Sequence, residues 1–101
     1  MASGINANEL KEYIIENNCV EQILISLECH DIKSYSAEWR AALPQGTNKT
    51  AICIKKDTLS VAIRSSEINE HGDIYTLVMS IKNISFGKAV KYLHEILGLK
   101  Y

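Results

Sequence analysis

Apolar residues towards the end of the chain recur at helical spacing. Ile74, Leu77, Val78 and Ile81 follow an i, i+3, i+4, i+7 pattern, and after a break Phe86, Ala89, Val90, Leu93 and Leu97 repeat it. This predicts a helical hairpin over 72–98 whose two apolar stripes face the rest of the chain. Asp73 and Ser85 stand where a side-chain oxygen would accept an orphan N–H of each opening turn, and Gly98 where a left-handed residue would end the second helix.

Earlier segments follow two different periods. Residues 1–7 read as a loose tail, and Asn8 as the cap of a short helix carrying Leu10, Tyr13 and Ile14. Asn17 and Asn18 interrupt it. Asn18 with Glu21 resembles a capping box for a second helix with Val20, Ile23, Leu24 and Leu27 on its apolar side. Beyond Cys29-His30-Asp31 the pattern alternates, predicting strands at 32–35, 38–43, 50–55 and 59–64. The segment from Pro44 to Asn48 reads as a loop, Lys56-Asp57-Thr58 as a turn, and Ser65, Ser66, Glu67 and Asn69 as a looser polar link to His71. The expectation is one α+β domain over 1–101: a tail and helices to 31, an antiparallel ribbon of three or four strands over 32–65, and the hairpin.

Composition narrows the class. A hydrophobic fraction of 47% in 101 residues is that of a globular domain. No apolar run approaches the roughly 18 residues of a membrane span and no charged-then-apolar leader opens the sequence, so a soluble, cytoplasmic protein without membrane contact is expected. Cys19, Cys29 and Cys53 are widely spaced and odd in number, which predicts reduced, mostly buried thiols. Net charge is only −1, but it is unevenly spread. Residues 1–31 set one lysine against six acids, whereas 32–65 set six basic residues against Glu38 and Asp57. One surface therefore suits an anion and another repels it.

Several short stretches, Leu43-Pro44, Lys49-Thr50, Gly72-Asp73, Ile84-Ser85-Phe86 and Ala89-Val90, occur in an order that resembles the N-terminal Cys-His-Cys-Cys zinc-binding domain of bacterial and phage DNA primases over about residues 38–98. The resemblance implies a zinc-ribbon-like fold, but the four ligand positions fall on Leu43, Gly46, Ala62 and Ser65. Zinc is held by thiolate, imidazole or carboxylate groups, which this set lacks, so no metal or other cofactor is expected. Burial of Leu43, Ile52, Ile54 and Ile63, at roughly 1.5–3 kcal/mol each, would replace the ion in holding the ribbon together.

No catalytic constellation is legible. Cys29, His30, Cys53 and His71 lack metal-ligand spacing, His94 reads as a solvated residue of the last helix, and no phosphate loop, nucleophile elbow or carboxylate cluster occurs. The functional signal is the basic ribbon. Lys33, Arg40, Lys49, Lys55, Lys56 and Arg64 are candidates to track a phosphate backbone, with Tyr35 or Trp39 to stack a base; in the alternative, Trp39 belongs to the core and the charges are simply solvated. In the primase family this domain engages single-stranded template beside a polymerising domain. The resemblance thus implies a non-catalytic replication accessory of a phage or other mobile element, binding single-stranded DNA and docking on a separately encoded polymerase, primase or helicase. The alternative is a regulator or mimic that meets a replication protein without touching DNA.

Overall fold

The computed structural model describes residues 6–99. In chain order it contains α1 (Ala7–Glu16), α2 (Val20–Ser26), β1 (His30–Ser34), β2 (Glu38–Ala42), β3 (Ile52–Lys55), β4 (Val61–Arg64), β5 (Asn69–Gly72), α3 (Ile74–Lys82) and α4 (Phe86–Ile96). The fold is α+β, with the strands forming an open antiparallel sheet in the order β1-β2-β3-β4-β5. The polar link before the hairpin is thus a fifth strand. Asn69-Glu70-His71-Gly72 is exposed throughout, so this edge strand has no apolar alternation to announce it.

Cross-strand register explains the core. Trp39 lies opposite Ile54, which lies opposite Val61, and Ala41 opposite Ile52, which lies opposite Ile63; all six are buried. Leu10, Ile14, Ile23, Leu24, Ile74, Leu77, Val78 and Leu93 complete the same cluster from the four helices. Leu43, Ile52, Ile54 and Ile63 are buried as expected, and Trp39 belongs to the core. At roughly 25 cal/mol per Å² of apolar surface, such burial dominates what holds the sheet to the helices.

The hairpin caps match the sequence pattern. The Asp73 carboxylate accepts from the N–H groups of Tyr75 and Thr76, and Thr76 Oγ1 accepts from the N–H of Asp73. Lys11 reaches the same carboxylate at 2.9 Å, tying α1 to α3. Burial alone would raise the Asp73 pKa, but Lys11 and the two N–H groups outweigh it and hold the carboxyl below its usual range. Ser85 caps α4 through the N–H of Lys88, and Gly98 follows with φ 70°.

Other local expectations are corrected. Residues 1–5 of the expected tail lie outside the described residues, and Asn6 rather than Asn8 caps α1, because Glu9 three positions on completes a reciprocal capping box. Asn18 caps nothing: it takes a left-handed conformation (φ 53°) between α1 and α2, and α2 begins after Cys19 without a side-chain cap. His94 is fully buried, with Nδ1 2.8 Å from the carbonyl oxygen of Val90. It follows Val90 by four residues and precedes Leu97 by three, which places it on the apolar stripe itself. Cys19 and Cys29 are buried, and burial pushes the Cys29 thiol up to about 12.

Candidate nucleic-acid interface

Strand alternation sends every second side chain to the face of the sheet opposite the core. There Lys33 pairs across β1–β2 with Arg40, Arg40 with Cys53, Cys53 with Ala62, and Ala62 with His71. Four spacings of about 4.8 Å make this row roughly 19 Å long. Its centre is Cys53 and Ala62, small side chains that leave room for a ligand to approach the backbone. Flanking the row, Glu38 lies opposite Lys55 and Arg64 opposite Asn69.

The candidate residues divide by position. Lys33, Arg40, Lys55 and Arg64 come together on this outer face. Tyr35 is half exposed at the end of the β1–β2 hairpin and lines a hollow with Glu38 and Arg40, so it is the aromatic available for stacking. Lys49 extends from the loop after β2, 3.9 Å from Asp31. Lys56 is not brought to this face. It lies over the core-side ring of Trp39, 5.2 Å from its centroid, and donates to Ser34 Oγ at 2.6 Å.

Charge on the outer face is not uniform. Glu38 accepts from Arg40 Nε through one carboxylate oxygen and from Lys55 Nζ at 3.3 Å through the other. The hydrogen bond from Arg40 is the main reason its carboxyl sits below the ordinary glutamate range. At the β4–β5 end, Arg64 approaches His71 Nε2 at 3.5 Å, and no carboxylate lies within ion-pair distance of it among the described residues. Sequence reasoning passed over Glu38 and His71. Glu38 is two residues from Arg40, and strand alternation alone puts both on one face; His71 is hidden in an edge strand without an apolar signature.

The four positions expected from the resemblance to replace zinc ligands are not all brought together. Leu43, Gly46 and Ser65 line one cleft of about 460 Å³ between the loop after β2, the β4–β5 turn and α3, whereas Ala62 lies within β4 on the outer face. Among the described residues, no group of three or more His, Cys, Asp or Glu side chains is placed to hold a metal ion. Set against known proteins, the chain matches no family model, no curated protein and no solved structure.

Proposed function

We propose that this protein is a zinc-free, primase-like replication accessory that holds single-stranded DNA across the outer face of its sheet. One observation carries the reading: the helices cover a single face, and the other presents Lys33, Arg40, Lys55 and Arg64 around a floor of Cys53 and Ala62, with Tyr35 at its margin. A single strand needs cations spaced along a groove and an aromatic plane for a base. The chain has no catalytic role of its own in this reading. Its opposite side, where Glu12, Glu16, Glu21 and Glu28 are exposed with Ile15 and Ile25, suits docking on a separately encoded polymerase, primase or helicase.

Fluorescence anisotropy with a labelled single-stranded oligonucleotide tests this. Saturable binding is expected at low salt, with log affinity falling against log salt by about 0.7 for each phosphate contacted. No binding at low salt defeats the reading in favour of a second one, a protein-interaction regulator or primase mimic. The exposed Ile25 beside Glu21 and Glu28 is what favours that alternative.

A further inference from the structure

The cleft described above adjoins an open hollow on the outer face. Asn48, Ser65 and Ser66 line both, forming a shared lip, while Arg64, Asn69 and His71 line only the hollow. The two differ in chemistry. The cleft has Leu43, Pro44, Ile68 and Ile81 in its walls, and its volume of about 460 Å³ lies within the range of small-molecule sites. The hollow offers the Arg64 guanidinium, the Ser66 hydroxyl and the Asn69 amide, all hydrogen-bond donors.

We infer that this pair of cavities is a site for a nucleoside monophosphate, the terminal nucleotide of a bound strand, with its phosphate at Arg64 and His71 and its base in the cleft. The inference rests on the strand-binding reading and deepens it. Charge sets the orientation. Glu67 lines the cleft and repels a phosphate there, whereas the hollow contains a guanidinium without a carboxylate partner among the described residues. Arg64 suits a terminal phosphate because its planar fork can donate two parallel hydrogen bonds to one phosphate group. Arg64 Nη2 lies 3.5 Å from His71 Nε2, which sets the imidazole beside the guanidinium at the same end of the hollow. The apolar walls take the flat faces of a base, and the Ser66 hydroxyl with an N–H of the Asn48 amide supplies polar atoms at its edge, the Ser65 hydroxyl being held by Glu67 and Ile68 of its own turn. A strand crossing the sheet from Tyr35 towards β5 thus ends over the lip between Asn48 and Ser66.

The test uses the full chain and three small probes followed by two-dimensional NMR: deoxyadenosine monophosphate, deoxyadenosine and inorganic phosphate. The monophosphate should give saturable shifts at both Ile68 or Ile81 and Ser66 or His71, and phosphate alone at the second pair only. Arg64→Met should weaken the monophosphate about tenfold, the effect of losing one charge-assisted contact, and leave the nucleoside unchanged. Equal binding of nucleoside and monophosphate, insensitivity to Arg64→Met, or absence of saturable shifts overturns the inference. Anisotropy with oligonucleotides bearing a hydroxyl or a phosphate at either end separates the two proposals. Strand binding without any preference for a terminal phosphate defeats the terminal-nucleotide site alone. Monophosphate binding without strand binding defeats the strand reading and leaves a site for a free nucleotide.

Discussion

The two halves of the exposed sheet face each carry one arginine, and the two arginines differ in what they can do. In the β2–β3 half, Arg40 and Lys55 share the Glu38 carboxylate. In the β4–β5 half, Arg64 faces His71 and the hollow, with no acid in reach among the described residues. A partly exposed, solvent-screened ion pair of the first kind adds little to stability. It matters for binding, since a phosphate must displace a carboxylate that is already hydrogen-bonded. The excess of basic residues counted along 32–65 therefore overstates the charge a ligand meets, and placement decides which cations are available.

The comparison is broken most severely at Arg64. Arg64→Glu should weaken single-strand binding by about 30-fold, equivalent to about 2 kcal/mol, in low-salt anisotropy. A loss no larger than that of a charge reversal at Arg40 would erase the distinction between the halves. Gly72→Ala attacks the same half through its scaffold. A Cβ there would collide with the Thr76 side chain that closes the α3 capping box. The expected cost is about 1–2 kcal/mol, lowering the melting temperature by roughly 4–8 °C per kcal/mol in calorimetry.

Glu38→Gln should move the other half towards the behaviour of the first. Freeing Arg40 and Lys55 should tighten strand binding by about threefold to tenfold and steepen the salt slope by up to about 1.4, or 0.7 for each new phosphate contact. The variant also removes one source of pH dependence. The Glu38 pKa is lowered in the folded protein, chiefly by the hydrogen bond from Arg40, so its contribution to stability is present above the unfolded value and is lost as pH falls through the folded one. Acid denaturation of the wild type should include that loss, and Glu38→Gln should lack it. Lys56→Ala is the smallest change: strand affinity within about twofold, and a stability loss of about 0.5–1 kcal/mol from the contact over Trp39.

What the sequence revealed follows from which interactions are periodic. Trp39 with Ala41, Ile52 with Ile54, and Val61 with Ile63 alternate because one face of each strand is buried, so the central sheet was legible. Asp73, Ser85 and Gly98 were legible as caps because each satisfies a local backbone need. β5 was not, because its pairing with β4 supplies what its side chains do not announce. The same cause hid His71. Glu38 opposite Lys55 depends on register, which no single segment states, and Lys56 leaves the outer face because the turn carries it over Trp39. The cleft joins residues from the loop after β2, the β4–β5 turn and α3, far apart in the chain and close only once the sheet is built.

Mapping amide shifts of the intact protein on addition of a single-stranded oligonucleotide tests the central claim most directly. Shifts should trace Lys33, Arg40, Cys53, Ala62 and His71 across the sheet and reach Arg64 and Asn69, leaving Glu12, Glu16 and Glu21 of the helical side unmoved. Shifts confined to α1 and α2, or none at saturating oligonucleotide in low salt, would contradict it.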